Sequence, residues 1–228
     1  RDRRIIRYAS VLGVAFDARL VQALFDEQDA VDAGVWRRLA SFVDEEGDGG
    51  YRFRHALMRD AAYEGLPYRR RKELHARVGN AILTSTPDQV ELLSLHFFLA
   101  GDDPLAWKYS AISARRAESA YANIEASRFL RRAIEAGRRL PEVTKRELSS
   151  LHEALGDCLE RIGDYGGALA AYRDARRLVR DEPLLVAQLF LKEAMVSVRA
   201  TGYTQSLRWT SHGRRLVETL HSPDADKE

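Results

Sequence analysis

A recurring pattern of small residues in the second half of the chain constrains its fold most strongly. Gly156 is followed by Ala168, Tyr172 and Ala175 in a region with helical periodicity. The small residues would let two helices approach closely, and the tyrosine would fill the groove toward the next pair. Pro183 then prevents the second helix from continuing. The sequence therefore predicts a tightly packed pair of helices.

The second helix of this pair recurs in both directions along the chain. A shift of 38 residues, from 165 to 203, aligns Ala168 and Ala175 with Ser206 and Gly213. A shift back of 42 residues, from 168 to 126, again aligns alanine with alanine. These positions resemble tetratricopeptide repeats, most closely over Ser149–Glu182. The resemblance implies an array of α-hairpins that buries a continuous core and offers a face to a protein or to a small-molecule inducer.

The first third of the chain has a mixed character. Three helical segments, the last near Asp29–Ser41, precede two short extended runs around an Asp/Gly-rich turn at 46–50. Three helices followed by a short β-hairpin is the order of a winged-helix domain. A polar stretch at 84–88 then interrupts the helical pattern. We therefore predict a mainly α protein, with a winged-helix domain and its following helices at 1–83 and tetratricopeptide-like repeats at 84–228.

Charge and cysteine content narrow the class of function. The 36 Lys and Arg residues nearly balance the 34 Asp and Glu residues, which leaves a net charge of +2. This balance argues against a protein that works by bulk attraction to nucleic acid or to an anionic membrane. A single cysteine cannot form an internal disulfide, and no run of about 18 apolar residues could span a membrane. We expect a cytoplasmic protein without a membrane partner.

The sequence contains no motif for catalysis, for a metal or for a nucleotide of its own. It lacks a Gly-rich phosphate loop, and no two of its six histidines have the i, i+4 spacing of a helical zinc site. His96 follows an apolar pattern and is interpreted as a core residue. Cys158 lies beside Gly156 and is interpreted as a buried, inert thiol. We therefore predict that this chain is not an enzyme and holds no cofactor.

A winged helix also suggests an alternative function, a DNA-binding transcription regulator. Acidic residues crowd the helix and the turn that would face the phosphates, namely Asp26, Glu27, Asp29, Asp32, Glu45, Glu46 and Asp48. They would repel the DNA backbone, and Arg37 and Arg38 do not outweigh them. We therefore expect no nucleic-acid partner and keep the DNA-binding regulator as the alternative.

The segment Tyr51–Tyr63 is the most family-specific part of the chain. Its pattern, Phe-Arg-His followed by Arg-Asp-x-x-Tyr, resembles the end of the winged-helix domain in bacterial signal-transduction NTPases of the STAND class. Such proteins commonly join an adenylate/guanylate cyclase or a LuxR-type module to an ATPase, then to a winged helix and to tetratricopeptide-like repeats. The resemblance implies a regulatory arm whose partner is an NTPase domain of the same polypeptide, with ATP or ADP as the cofactor of that parent. Because the chain begins at Arg1 without a methionine, we expect it to be a fragment of a longer protein.

The same resemblance implies a role for two residues. In related STAND proteins a Met-His-Asp triplet stands at this point, and its histidine reaches the β-phosphate of bound ADP. Arg54-His55-Ala56 takes that place here, with alanine where the family has an acid. His55, with Arg54 beside it, is therefore the candidate phosphate contact when the NTPase domain is present. The other interpretation is that His55 only caps the junction between the hairpin and the next helix.

Overall fold

The computed structural model describes residues 1–25, 31, 33–200 and 203–220. The chain divides into two compact units between Ala106 and Trp107. The predicted boundary at 83/84 lies within the last turn of the helix Tyr68–Ser85, inside the first unit. That helix packs against the next one, Val90–Ala100. A polar stretch marks where a helix ends, and it does so equally within a unit and between units.

The first unit contains short helices, a small sheet and two longer helices. Its elements are α1 (Asp2–Ala9), β1 (Ala15–Asp17), α2 (Ala18–Gln22), α3 (Ala33–Arg38), β2 (Val43–Gly47), β3 (Gly50–Phe53), α4 (Ala56–Glu64), α5 (Tyr68–Ser85) and α6 (Val90–Ala100). The order is helix, strand, two helices and a hairpin, followed by three further helices. The start of the third predicted helix, from Asp29, lies outside the described residues, and so do Asp26, Glu27 and Asp32.

The sheet is antiparallel, with strand order β1–β3–β2. The predicted hairpin is confirmed: Val43 pairs with Phe53, and Asp48 adopts φ 49° in the turn between glycines that also have positive φ. β1 was not predicted, because a strand of three residues has no measurable alternation. The inner face of the sheet packs against α1 and α3 through Phe16 and Trp36, whose ring centroids lie 5.6 Å apart.

The second unit is a series of helical hairpins. After α7 (Asp103–Ser119), which begins before the division, its helices are α8 (Asn123–Gly137), α9 (Lys145–Arg161), α10 (Tyr165–Leu178), α11 (Pro183–Ala200) and α12 (Tyr203–Leu220). From α8 onward each helix packs on the next, and one apolar core runs through them. The predicted array of α-hairpins is confirmed.

Local signals explain where the hairpin helices begin. Thr144 precedes α9, and its hydroxyl accepts a hydrogen bond from the Glu147 backbone N–H at 3.1 Å. The Glu147 carboxylate accepts from the Thr144 backbone N–H at 2.8 Å, so the two residues form a capping box. Asp164 plays the corresponding part for α10, where its carboxylate accepts from the Gly167 N–H at 2.9 Å.

Candidate functional site

The two residues predicted to approach a phosphate lie side by side on the surface of the first unit. His55 occupies the N-cap position of α4, directly after β3, and its side chain makes no capping hydrogen bond. The Arg54 guanidinium lies 2.6 Å from the Asp44 carboxylate on the neighbouring strand. Leu57, in the first turn of α4, is 80% exposed. The start of α4 therefore presents an imidazole and a large apolar side chain to the outside.

Two other residues of the same motif, Arg59 and Tyr63, make contacts within the unit. The Arg59 Nε donates to the Ser10 backbone carbonyl at 2.8 Å, and the Arg59 guanidinium lies 4.8 Å from the centre of the Tyr63 ring. The Arg71 guanidinium lies 4.9 Å from the same ring, and its Nε donates to the Leu66 carbonyl at 2.8 Å. These cation–π contacts hold Tyr63 in one position.

Tyr63 begins a hydrogen-bonded chain that crosses to α5 and α6. The Tyr63 hydroxyl lies 3.0 Å from His75 Nε2, and His75 Nδ1 lies 3.0 Å from His96 Nδ1. Both imidazoles are almost fully buried. Burial lowers the pKa of His75 to about 3, with a smaller effect from His96, and lowers the pKa of His96 to about 4. Both rings are therefore neutral at pH 7.

The interpretation of His96 as a core residue is correct, but the chain that it belongs to was missed. His75 and His96 are 21 residues apart and lie on different helices, so no spacing rule joins them. The sequence did contain a sign that both histidines are buried, because each occupies a core-facing position in a helical pattern of apolar residues. A buried imidazole requires a partner, and a second buried imidazole can provide it.

In the second unit the predicted small residues lie at the helix contacts. A Cβ on Gly156 would lie 2.6 Å from Cδ1 of Tyr172, and Ala168 and Ala175 are fully buried. Gly213 is also buried, and a Cβ there would lie 3.3 Å from the Ala187 carbonyl oxygen. Ser206 is half-buried on α12.

Tyr172 also belongs to a polar network that sequence reasoning did not identify. Its hydroxyl donates to Asp157 Oδ1 at 2.7 Å. Lys192 Nζ reaches the same carboxylate at 2.8 Å and Glu153 at 2.7 Å. Burial, helped by the Asp157 hydrogen bond, raises the pKa of Tyr172, so the hydroxyl stays protonated and acts as a donor. The network joins α9, α10 and α11.

A second missed pair is the ion pair of Arg176 and Glu193. Glu193 is only 1% exposed, and the Arg176 Nε donates to its carboxylate at 3.1 Å. The Arg176 guanidinium also lies 4.2 Å from the centre of the Phe190 ring. Burial raises the pKa of Glu193 in spite of the arginine beside it. A glutamate within the apolar run 184–198 was the signal in the sequence.

The sulfur of Cys158 is buried, as expected from its place in the repeat. Burial, assisted by Glu118, raises the pKa of this thiol to about 11. The thiol is therefore not ionised at neutral pH and is a poor nucleophile. Within the described ranges, no cluster of His, Cys, Asp or Glu is arranged to hold a metal ion, and no helix is long and apolar enough to span a membrane.

Comparisons with known proteins give distant matches of structure and none of sequence. No family model matches the chain, and no curated protein matches it. BtubC (BKLC) from P. vanneervenii is similar at 13% identity and TM-score 0.44, over 72% of this chain and 78% of its own. A STAND protein with a tetratricopeptide repeat sensor from Pyrococcus horikoshii is similar at 13% identity and TM-score 0.44, over 97% of this chain. The present chain spans 45% of the length of that STAND protein. Neither likeness is close enough to assign a function.

Proposed function

We propose that this chain is the non-catalytic regulatory and protein-interaction arm of a multidomain, ATP-dependent signalling regulator of the STAND class. In this proposal the start of α4 contacts an NTPase domain of the same polypeptide and helps to hold it in the ADP-bound state. The helical hairpins bind a protein or a small inducer and bias that contact. The arm itself carries no catalytic residue and no cofactor, and it acts in the cytoplasm.

The observation that carries the proposal is the division of the Tyr51–Tyr63 motif into two halves. Arg59 and Tyr63 are committed to internal contacts. His55 and Leu57 are exposed, and no capping bond engages the imidazole. Internal packing explains Arg59 and Tyr63 but provides no reason for an exposed leucine close to an exposed histidine. Contact with another domain would provide one.

The chemistry at this point suits a phosphate group. The first backbone N–H groups of a helix have no carbonyl partner within the helix, and the helix dipole adds positive potential there. An imidazole can donate a hydrogen bond to a phosphate oxygen in either protonation state. Burial of Leu57 against a neighbouring domain would add about 1.5–3 kcal/mol. Ala56 stands where related proteins have an acid, so the histidine is the part of the triplet that carries over.

Regulation by the hairpin array would require that its ligand bind the two states of the parent protein with different affinities. A ligand shifts a two-state equilibrium only by the ratio of its affinities for the two states. A ligand of the hairpins would therefore bind the open state of the parent more tightly than the closed state. By linkage, nucleotide exchange in the NTPase domain would change the affinity of that ligand by the same factor.

The proposal is tested first on the chain by itself. The isolated chain should not hydrolyse ATP, and calorimetry should detect no ADP binding tighter than millimolar, because the phosphate-binding loop belongs to the NTPase domain. Tight binding of ADP to the isolated chain would contradict the proposal.

The alternative, a DNA-binding regulator, rests on the winged-helix order of elements. In the described part of the hairpin, Glu45, Glu46 and Asp48 are exposed, although Glu46 pairs with Arg52. The acids on the preceding segment lie outside the described residues. A retardation of duplex DNA in a gel by this chain would favour the alternative. The affinity should then fall steeply as the salt concentration rises, since binding to phosphates releases counterions.

A further inference from the structure

A cavity of about 500 Å³ lies in the first unit, between β1 and α2 on one side and α5 and α6 on the other. Most of its wall is apolar, and these residues are Leu12, Ala15, Phe16, Leu20, Ile82 and Leu92. A volume of several hundred Å³ with apolar walls and a few polar groups is typical of a site for a small molecule. The polar groups of the wall therefore decide which molecule it would take.

The most buried polar group of the wall is His96, which is only 2% exposed. Its Nδ1 is occupied by His75, but among the described residues no group forms a hydrogen bond with its Nε2. The buried ring therefore has one nitrogen available at the cavity. His96 Nε2 is not among the fully enclosed unpartnered atoms of the described residues, which are Trp107 Nε1, Ser113 Oγ and His152 Nδ1. The nitrogen is therefore accessible, and a ligand that supplies its partner would replace water there.

The hydrogen-bonded chain determines what that nitrogen offers. The chain can run in either direction, because the half-buried Tyr63 hydroxyl can donate to His75 Nε2 or to water. In the first direction the hydroxyl proton lies toward His75 Nε2. His75 then carries its proton on Nδ1 and donates to His96 Nδ1. His96, which is neutral, must hold its own proton on Nε2. In this direction the nitrogen at the cavity is a donor, and a ligand that supplies an acceptor selects it.

The rest of the wall carries no uncompensated charge. Asp17 and Arg19 neutralise each other, with Arg19 Nη2 2.7 Å from Asp17 Oδ2. The remaining polar lining residues, Ser85, Thr86 and Gln89, are uncharged. A charged ligand would lose its hydration without gaining an opposite charge.

We propose that this cavity binds an uncharged, largely apolar small molecule through a single carbonyl-type acceptor that receives a hydrogen bond from His96 Nε2. Binding fixes the direction of the chain from Tyr63 through His75 to His96. Because Tyr63 belongs to α4, the same chain connects the cavity to the helix that begins at His55. The inference stands whether or not α4 contacts an NTPase domain.

The probes for the test are 1-indanone, which has one carbonyl acceptor, and indane, which has the same ring system without it. Binding is followed by the imidazole ¹⁵N signals of the histidine-labelled 228-residue chain, assigned with His75 and His96 variants. We expect 1-indanone to saturate and to shift the Nε2 signal of His96. Indane should bind about fivefold more weakly, the ratio expected for one hydrogen bond. No saturable shift with 1-indanone, or equal affinity for both probes, would overturn the proposal.

Two pairs of variants locate the site. His96→Gln places an amide near the position of Nε2 and should keep the preference for 1-indanone, whereas His96→Asn places it near Nδ1 and should lose that preference. Ser85→Trp introduces bulk into the wall and should weaken binding at least tenfold. Thr84→Trp, at an exposed neighbouring position outside the wall, should leave it unchanged. Equal effects of the two tryptophans would place binding elsewhere, and this comparison decides the question even if the His96 variants fail to fold.

Discussion

Gly156 lies directly against the ring of Tyr172, with no space for a side chain between the two helices. A Cβ at this position would lie 2.6 Å from Cδ1 and 2.8 Å from Cζ of the tyrosine. These distances are shorter than any that real Cβ atoms adopt, so the ring or the helix would have to move. The ring cannot move freely, because its hydroxyl donates to Asp157 on the same helix as the glycine.

The first prediction follows from this contact. Gly156→Ala should destabilise the chain by about 1–3 kcal/mol, the usual cost of overpacking a close contact. The matched control is Gly166→Ala in α10, where a Cβ would meet no atom within 4 Å. That substitution should be neutral or stabilise by up to about 1 kcal/mol, since alanine favours the helix. Urea denaturation followed by circular dichroism measures both, and equal effects would contradict the packing account.

The second prediction concerns the buried ion pair. Arg176→Met keeps much of the packing on Phe190 but removes the ion-pair partner of the buried Glu193. We expect a loss of about 3–5 kcal/mol at pH 7. The double variant Arg176→Met with Glu193→Met should recover most of this loss, because no charge then remains buried. Failure of the second substitution to rescue the first would show that the arginine acts through packing alone.

The pH dependence of the Arg176→Met variant has a defined sign. Burial raises the pKa of Glu193 in the folded chain, and removal of the arginine should raise it further. A carboxyl with a raised folded pKa binds its proton more tightly when folded, so its contribution is most favourable below the unfolded pKa and is lost as the pH rises through the folded pKa. The stability difference between the variant and the unsubstituted chain should therefore shrink from pH 7 to pH 5, and a difference that grows over this range would contradict the assignment.

The third prediction concerns the two buried histidines. Their folded pKa values, about 3 for His75 and about 4 for His96, lie below the unfolded value. Their contribution to stability is therefore present above about pH 6.5 and is lost as the pH falls toward the folded values. Lowering the pH from 7 to 5 should destabilise the first unit by about 1–2 kcal/mol for each histidine.

Trp36 fluorescence provides a local measurement of this effect, because Trp36 is the only tryptophan of the first unit. Urea titrations at pH 7 and pH 5 would use a chain with Trp107 and Trp209 replaced by phenylalanine. The variant His75→Phe with His96→Leu should lose most of the pH dependence, whereas His212→Ala, an exposed position, should keep it. The same slope in both variants would contradict the role of the buried pair.

The fourth prediction is that Cys158 reacts slowly. Its thiol is buried and its pKa is raised to about 11. Alkylation by iodoacetamide at pH 8 should therefore be slow in the native chain and should accelerate by orders of magnitude in concentrated urea. Fast alkylation of the native chain would indicate that α9 opens readily.

The features that could be predicted from the sequence depend on the spacing of residues that lie close together in the chain. The small residues that follow Gly156 predicted the helix contacts of the second unit, because a 3.6-residue period places them on one face. The turn around Asp48 predicted the hairpin, because glycine and aspartate tolerate a positive φ. Both signals lie within about 20 residues of chain.

The features that were missed depend on how separate elements pack. The contact between His75 and His96 exists only because α5 and α6 lie together, and the pairing of Arg176 with Glu193 joins α10 to α11. The boundary predicted at 83/84 lies within the last turn of α5, and α5 packs against α6 inside the first unit. Periodicity shows which face of a helix is buried, but it does not show which helix covers that face.

The central claim is that His55 holds the parent regulator in its ADP-bound state. The most direct measurement compares basal output and ADP occupancy in the protein that joins this chain to its NTPase domain, with and without His55→Ala. His212→Ala, another exposed histidine, is the control. The proposal predicts higher basal output and faster loss of ADP for His55→Ala only. Unchanged output and unchanged ADP occupancy in that variant would contradict it.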